Sequence, residues 1–209
     1  MNCSRMLRVL LVALSLLMLP ALQGCRDRTP RVAPLPPDAL ILAFGDSLTA
    51  GNGASRDASY PAVLEQLTGY RTINAGRPGE LSSEGLQRLP GLLQRYRPDL
   101  VILCHGGNDL LRRGDPDRTA ANLRQMIEAV QSSEAEIVLL AVPQPGLWLK
   151  AADFYQELAD QYHIPCDTEI LAEILSRREL KSDAIHPNAA GYRQLAETLS
   201  RLISEAGNS

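Results

Sequence analysis

Aromatic residues are scarce in this chain of 209 residues, which has two phenylalanines, one tryptophan and six tyrosines. So few rings disfavour a binding surface that stacks sugars. Positive charge is not in excess either, because 21 basic residues face 24 acidic ones and the net charge is −3. A nucleic-acid partner would need a basic face, so we expect none. The four cysteines and three histidines have no spacing typical of metal ligands, and we expect neither a metal nor a cofactor.

The first 24 residues have a composition of their own. Arg5 and Arg8 make a basic start, and residues 9–22 form an uncharged, almost wholly apolar run. A run of this length is too short to span a bilayer comfortably, but it suits the apolar region of a secretory signal peptide. The run ends in Leu-Gln-Gly-Cys, which resembles a bacterial lipobox. That resemblance implies cleavage before Cys25 and a lipid on its sulfur, with an ordinary signal peptide or an uncleaved anchor as the alternative.

The chain is predicted to have three parts. These are a signal peptide at 1–24, a lipidated Cys25 with a proline-rich tether at 25–38, and one domain at 39–209. We therefore expect an exported, membrane-anchored lipoprotein that faces the periplasm or the cell envelope. Without the signal peptide, 19 basic and 24 acidic residues leave a net charge of −5. Cys104 and Cys166 lie in apolar runs, where they are either buried thiols or, in an oxidising compartment, a disulfide.

Apolar runs and helical patterns alternate from residue 39 onward. The predicted strands are 39–44, 72–74, 100–104, 136–142 and 164–167. The predicted helices are 59–68, 82–96, 118–132, 151–162, 168–178 and 188–205. Short, continuously apolar strands are typical of a parallel sheet that is covered on both faces. The alternation predicts an α/β fold: a three-layer α/β/α sandwich with a five-stranded parallel sheet and right-handed crossovers, like flavodoxin.

The tetrapeptide Gly-Asp-Ser-Leu at 45–48 follows the first predicted strand. Open α/β sheets place their chemistry at the carboxyl ends of strands, so Ser47 is a candidate nucleophile. Its hydroxyl needs a neighbouring base to take its proton. His186 is the best candidate, because Asp183 precedes it by three residues and can orient the imidazole through Nδ1. The turn differs from the nucleophile elbow of α/β-hydrolases, since Thr49 replaces the second glycine of that motif.

Acyl transfer also needs hydrogen-bond donors for the developing oxyanion. Two turns could supply them: residues 74–79 through backbone N–H groups, and residues 105–109 through the amide of Asn108. Each turn by itself is equally typical of an ordinary strand-to-helix connection. His105 ends a strand and could approach the site, although a half-buried residue without a role is the favoured interpretation. His163 ends a helix and is expected at the surface.

Together, these motifs resemble the conserved blocks of the SGNH hydrolases, also called the GDSL esterase/lipase family. The resemblance is strongest to the bacterial thioesterase I/lysophospholipase and arylesterase subgroup, and it covers residues 40–202. It implies that Ser47 is the nucleophile and that Asp183 and His186 complete a catalytic triad. It also implies an oxyanion hole made by the N–H groups of Ser47 and Gly79 and by the amide of Asn108.

The second motif departs from the family pattern. Relatives often have Ser-Gly-Asp-Thr where this chain has Pro78, Gly79, Glu80 and Leu81. Pro78 has no N–H, and Leu81 lacks a hydroxyl that could form a hydrogen bond within the loop. Gly76 is therefore the second candidate for the backbone donor.

The predicted function is hydrolysis of carboxylic esters or thioesters through an acyl-enzyme intermediate. The alternatives are a carbohydrate O-deacetylase of the same family, an inert tethered binding module, and a flavodoxin-like nucleotide-binding protein. The last would need a phosphate loop with a basic end, which residues 45–53 lack. Leu147, Trp148 and Leu149 either line an acyl or aryl pocket or pack under a loop. We expect a monomer that takes a small-molecule ester and contacts a membrane through its lipid anchor.

Overall fold

Five short strands form one parallel sheet at the centre of the molecule. A computed structural model describes residues 30–146 and 149–204. The strands of this sheet are β1 (Leu40–Gly45), β2 (Arg71–Gly76), β3 (Leu100–Cys104), β4 (Glu136–Leu140) and β7 (Cys166–Asp167). A separate antiparallel hairpin between β4 and β7 consists of β5 (Pro143–Gln144) and β6 (Lys150–Ala151).

Helices cover both faces of the sheet. Those described are α1 (Ser47–Ala50), α2 (Tyr60–Thr68), α3 (Ser82–Tyr96), α4 (Gly107–Leu111), α5 (Pro116–Ser132), α6 (Asp153–Tyr162), α7 (Ile170–Ser176) and α8 (Ala189–Ser204). Helix α2 packs on α8, whereas α3 packs on α5, which also contacts α6. Crossovers between parallel strands are right-handed in nearly all proteins. A chain that leaves β1 in one direction along the sheet and later continues in the other therefore places its helices on both faces.

The order of the strands in the sheet is β2-β1-β3-β4-β7, and every neighbouring pair is parallel. This is the flavodoxin-like order, in which the direction of travel reverses between β1 and β3. The predicted three-layer α/β/α sandwich with a five-stranded parallel sheet is confirmed. Ligands of such sheets bind beyond the carboxyl ends of the strands at the reversal point, so the segments after β1 and β3 are where a site is expected.

Burial explains why the strands differ in composition. All five residues of β3 and five of the six in β1 are buried, which requires continuously apolar sequence. Strand β2 lies at the edge of the sheet, reads Arg-Thr-Ile-Asn-Ala-Gly and has no fully buried residue. The core side of α5 is formed by Leu123, Met126, Ile127 and Val130, all at 0% exposure. Their spacing of three and four residues places them on one face of the helix.

The packed domain begins before the predicted boundary at residue 39. Val32 is only 2% exposed and belongs to the core, and the Ala33 N–H donates to a carboxylate oxygen of Glu136 at 3.0 Å. Part of the predicted tether at 25–38 thus packs against the domain, where burial of the Val32 side chain removes apolar surface from water. The division of the chain into three parts stays a prediction. The predicted signal peptide at 1–24 and Cys25 lie outside the described residues. In the part of the chain that is described, no helix is both long and apolar enough to cross a membrane.

The two cysteines of the domain are unpaired. Cys104 lies on β3 and Cys166 on β7, and β4 separates these two strands. Burial raises the pKa of both thiols, that of Cys166 to about 12. Of the two interpretations, the structure agrees with buried thiols, which are unreactive at such pKa values.

Candidate active site

Ser47 lies immediately beyond the carboxyl end of β1. Asp46 caps helix α1, with its Oδ1 accepting the N–H of Leu48 at 3.0 Å, and Ser47 is the first residue of that helix. A side chain on Gly45 would overlap the Cys104 carbonyl of the neighbouring strand. The absence of a Cβ thus lets β1 turn into α1 directly beside β3. The serine is held where the sheet reverses direction.

The structure brings Ser47, His186 and Asp183 into one hydrogen-bonded chain. The Ser47 Oγ lies 3.0 Å from Nε2 of His186, although the two residues are 139 positions apart. The Nδ1 of the same ring lies 2.8 Å from Oδ2 of Asp183. An ionised carboxylate can only accept, so Nδ1 carries the hydrogen and Nε2 is free to accept the serine proton. This is the geometry required for activating a hydroxyl as a nucleophile.

The Asp183 carboxylate is held ionised by its own loop. Its Oδ1 accepts the backbone N–H groups of Ile185 at 2.8 Å and of His186 at 2.9 Å. Loss of hydration works to raise the pKa of Asp183, but the hydrogen bonds from the His186 ring and these two N–H groups outweigh it and hold the pKa below its ordinary value. The side chain is 54% exposed, whereas His186 is 14% exposed. The imidazole therefore sits against the protein, and its orienting carboxylate is in contact with solvent.

We call residues 180–188 the histidine loop. Lys181 and Pro187 form an isolated antiparallel bridge, and the Ser182 N–H donates to the His186 carbonyl at 2.9 Å. Asn188 directly precedes α8, and its Oδ1 accepts the N–H groups of Ala190 and Gly191 in the first turn of that helix. The loop is thus a short closed turn fixed to the end of a packed helix.

Asn108 lies at the start of α4, after β3, and lines the same cavity as Ser47. Its Nδ2 is 3.1 Å from Oδ2 of Asp46 and 3.1 Å from the carbonyl oxygen of Glu80. Burial raises the pKa of Asp46, which is 2% exposed. Since an amide nitrogen carries two hydrogens, a substrate oxyanion would share or replace these acceptors. The amide therefore lies at the site in an orientation fixed by two neighbours, which accept both of its hydrogens in this structure.

Gly79 and Gly76 differ in whether their N–H is available. Gly76 lies at the end of β2 and donates its N–H to Oδ1 of Asn74 at 3.0 Å. Gly79 lies on an exposed loop with φ of +78°, and its N–H makes no hydrogen bond within the described residues. Only Gly79 therefore keeps a free donor. Gly79 is connected to the site by the next residue, Glu80, whose carbonyl accepts a hydrogen bond from Asn108.

A cavity of about 220 Å³ opens beside Ser47. Most of its wall is apolar, formed by Leu48, Leu111, Val142, Pro143, Pro145, Leu149, Leu175, Ala184 and Ile185. Leu111 and Ile185 remain 44% and 39% exposed at its rim. Of the three residues predicted as pocket or packing residues, Leu149 lines the cavity, and Leu147 and Trp148 lie outside the described residues. A larger open groove beyond β2 is lined by none of the three hydrogen-bonded residues Ser47, His186 and Asp183. The smaller cavity beside Ser47 is therefore the candidate site.

A buried ion cluster lies behind this cavity, and the sequence did not indicate it. The Glu80 side chain is completely buried, and its Oε1 accepts from Nε of Arg88 at 2.8 Å. His105 Nε2 lies 3.2 Å from the other carboxylate oxygen. Because the Gly106 N–H donates to His105 Nδ1, the ring hydrogen is on Nε2 and points to Glu80. Burial raises the pKa of Glu80, but the hydrogen bonds from His105 and Arg88 outweigh it and hold the pKa at about 2.

This cluster changes the interpretation of His105. It was expected to be half-buried and without a role, whereas it is 0% exposed and hydrogen-bonded to Glu80. The one sequence signal for this contact is that Glu80 and His105 each lie in or next to one of the two predicted oxyanion turns. The two residues are 25 positions apart, and no helical or strand periodicity identifies residues at that separation as partners. His163 ends α6, as expected.

The chain resembles known ester hydrolases over most of its length. A sequence profile of the GDSL-like Lipase/Acylhydrolase family matches residues 43–194. Thioesterase 1/protease 1/lysophospholipase L1 of Escherichia coli is 31% identical over 176 residues, which cover 80% of this chain and 85% of that protein. Esterase TesA of Pseudomonas aeruginosa is 34% identical over 172 residues, 76% of this chain and 85% of its own. The crystal structure of AlinE4, an SGNH-hydrolase family esterase, superimposes with a TM-score of 0.63 at 33% identity, covering 82% of this chain and 98% of that one.

Proposed function

The chain belongs to the GDSL-like lipase/acylhydrolase family, and from this premise we propose how its residues hydrolyse a carboxylic ester. That it is a serine ester hydrolase follows from the family and from relatives named as esterase, arylesterase and thioesterase. The proposal assigns the nucleophile to Ser47, the general base to His186 and the orienting carboxylate to Asp183. The observation that carries it is the 3.0 Å contact between Ser47 Oγ and His186 Nε2 at the mouth of an apolar cavity.

In the first half of the reaction, Ser47 Oγ attacks the carbonyl carbon while its proton passes to His186 Nε2. The imidazolium that forms is stabilised by Asp183, which already accepts its Nδ1–H. His186 then gives the proton to the departing alkoxide or thiolate, and an acyl-enzyme remains on Ser47. In the second half, a water molecule loses a proton to His186 and attacks the acyl carbon. The bond between that carbon and Ser47 Oγ then breaks, His186 returns the proton to Oγ, and the carboxylic acid leaves.

The negative charge of each tetrahedral intermediate needs hydrogen-bond donors on the side of Ser47 that lies opposite His186. We assign these to the N–H groups of Ser47 and Gly79 and to the side-chain amide of Asn108. The free N–H of Gly79 and the position of Asn108 in the cavity wall support this assignment. Donors held in place before the reaction stabilise the charge without having to reorganise.

For the substrate, we propose that the apolar wall takes the acyl group and that short or medium acyl chains are preferred. The volume of about 220 Å³ lies below the range of roughly 300–1,000 Å³ that is typical of pockets for drug-sized ligands. The apolar lining disfavours a sugar as the group held there, so a carbohydrate O-deacetylase is not the function we propose.

A panel of nitrophenyl esters from acetate to palmitate tests this proposal. We expect kcat/KM to be highest with short or medium chains, and Ser47→Ala to remove turnover of every ester. Acyl-coenzyme A thioesters and an acetylated xylan complete the panel. Fastest turnover with palmitate or with the glycan would contradict the assignment of the cavity.

We also propose that the protein is an exported lipoprotein, anchored through Cys25, and that it acts as a monomer. The basic start and the apolar run before Cys25 support export and lipidation. Expression in a bacterium fed radiolabelled palmitate should label the wild-type chain and not Cys25→Ala, and equal labelling would reject the anchor. All proposed catalytic groups come from one chain, so sedimentation in detergent should show an active monomer.

A further inference from the structure

Glu80 occupies an unusual position for a charged residue. Its side chain is 0% exposed, and a buried carboxylate without partners is strongly destabilising. Arg88 provides a fork, with Nε donating to one carboxylate oxygen and Nη2 to the other. The same guanidinium donates to the Ala75 carbonyl at 3.0 Å and lies over the Phe44 ring, 4.4 Å from its centroid. Through Arg88, the carboxylate is thus tied to the ends of β1 and β2.

His105, which directly follows β3, holds the Glu80 carboxylate from the end of that strand. Its Nε2 lies 3.2 Å from Glu80, and its carbonyl accepts the Tyr155 hydroxyl at 2.7 Å. Gly85 in α3 lies against the ring, where a Cβ would overlap the imidazole. The buried ring packs against this glycine, so Glu80 receives its donor from a closely packed side chain.

The backbone of Glu80 connects this cluster to both proposed oxyanion donors. Its carbonyl accepts Asn108 Nδ2 at 3.1 Å. Its N–H donates to the Arg77 carbonyl at 3.2 Å, which closes the turn containing Gly79. The direction of the free Gly79 N–H depends on that turn, because the adjacent peptide is fixed by the buried side chain.

We infer that Glu80 is a positioning residue that sets the orientation of the Gly79 N–H and of the Asn108 amide. Its carboxylate holds the loop at the strand ends, and its carbonyl holds the amide. This inference rests on the proposed function, because it concerns the donors that stabilise the oxyanion. It assigns no contact between Glu80 and substrate.

A purely structural role for the cluster makes a different prediction. Loss of Glu80 would then lower the thermal midpoint while the folded fraction kept its turnover. A positioning role predicts a lower kcat with little change in KM, since misplaced donors weaken binding of the transition state more than of the ester. Weaker inhibition by an alkylboronic acid should accompany it, because the tetrahedral adduct places an oxygen in the oxyanion position.

The test compares Glu80→Gln with Glu84→Gln in the full-length protein. Glu84 lies in the same segment, where its carboxylate accepts the Leu81 N–H at 2.8 Å and caps α3, but it does not contact the cluster. We expect Glu80→Gln to lower kcat by about 10- to 100-fold, because a displacement of about 1 Å can cost 10²-fold. Boronate affinity should fall in parallel. Glu84→Gln should keep both values within about twofold, as expected for a surface substitution.

A double variant keeps the test decisive if Glu80→Gln does not fold. Glu80→Gln with Arg88→Met removes both charges together, and such replacements of buried ion pairs are often neutral for stability. We expect this folded protein to show the same fall in kcat. Wild-type kcat and boronate affinity in either folded variant would overturn the inference. A wild-type protein without esterase activity, or an active Ser47→Ala, would instead overturn the proposed function.

Discussion

The two sides of Ser47 are built in different ways. On one side, the histidine loop places Asp183 and His186 three residues apart, and the carboxylate is 54% exposed. On the other side, Asn108 is held by Asp46 and by the Glu80 carbonyl, which lie 62 and 28 positions away in the chain. We call Asp46, Glu80, Arg88, His105 and Asn108 the buried network.

The two halves of the proposed chemistry are therefore held in place by different means. In the proposed mechanism, proton transfer relies on a local turn, which a few residues specify and which α8 carries as a unit. The proposed stabilisation of the oxyanion relies on groups from the ends of β1, β2 and β3, which meet only once the sheet has formed. Substitutions in the loop should therefore act mainly on chemistry, whereas those in the network should act on chemistry and on stability.

The largest effect is expected where both sides meet. Ser47→Ala removes the nucleophile and should lower kcat by about 10⁴- to 10⁶-fold, as loss of the nucleophile does in other serine hydrolases. Nitrophenyl butyrate turnover measures it. Ser132→Ala, on the exposed end of α5, is the control and should be unchanged. Wild-type turnover by Ser47→Ala would refute the assignment.

Asp183→Asn tests the loop side alone. The amide can donate to Nδ1 and favours the wrong imidazole tautomer, so we expect a loss of about 10³- to 10⁴-fold in kcat. The thermal midpoint should change little, because the side chain is largely exposed. Asp153→Asn, which is 78% exposed and paired with Lys150, is the matched control. A fall of less than tenfold would show that His186 does not need this carboxylate.

Asn108→Ala tests the network side alone. Loss of one oxyanion donor should lower kcat by about 10²- to 10³-fold and leave KM nearly unchanged. Unlike Asp183→Asn, it should also lower the thermal midpoint, since the Glu80 carbonyl and Asp46 each lose a hydrogen-bond donor. Gln125→Ala on α5 serves as the control. Full kcat in the folded variant would contradict the proposed role.

Leu111→Ser tests the apolar wall between the two sides. Removal of apolar surface at the rim should lower kcat/KM for octanoate esters by about 3- to 10-fold and leave acetate esters unchanged, because only the longer chain reaches it. Leu67→Ser is a matched control, with 43% exposure against 44% for Leu111, and it lies on α2 away from the cavity. Equal effects on both esters would place the acyl group elsewhere.

Acidification should reveal the stability contributed by Glu80. Its pKa is about 2 in the folded protein and close to its ordinary value, about 4.3, after unfolding. Its contribution is complete above the unfolded value and is lost as the pH falls through the folded value. Urea midpoints at pH 6 and pH 3, followed by circular dichroism, should therefore fall less for Glu80→Gln than for wild type. Identical falls would remove Glu80 from the acid response.

Local pattern was enough to predict the sheet and the members of the histidine loop. The apolar runs predicted all five strands of the sheet, although 136–142 ends earlier, at Leu140, and 164–167 begins later, at Cys166. Both shifts occur at the same pair of strands, because β4 and β7 pair over only two residues of each. The catalytic roles of Ser47, His186 and Asp183 were assigned from motifs, and they stay predictions. The distances between the three side chains permit these roles.

The part of the buried network formed by Glu80, Arg88 and His105 could not be predicted in the same way. Glu80 reads as an ordinary charged residue before a helix, Arg88 as one within that helix, and His105 as a strand end. Their association depends on how α3 lies across β1, β2 and β3, which is a property of packing rather than of spacing. Val32 was missed for a similar reason, because a valine among prolines has no period that predicts burial.

Mass spectrometry after reaction with a fluorophosphonate tests the central claim most directly. Ser47 activated by His186 should give one adduct per chain, located on the peptide that contains Ser47, and the labelling rate should fall by at least about 10³-fold in His186→Ala. An adduct on another residue, or labelling of His186→Ala at the wild-type rate, would contradict the account.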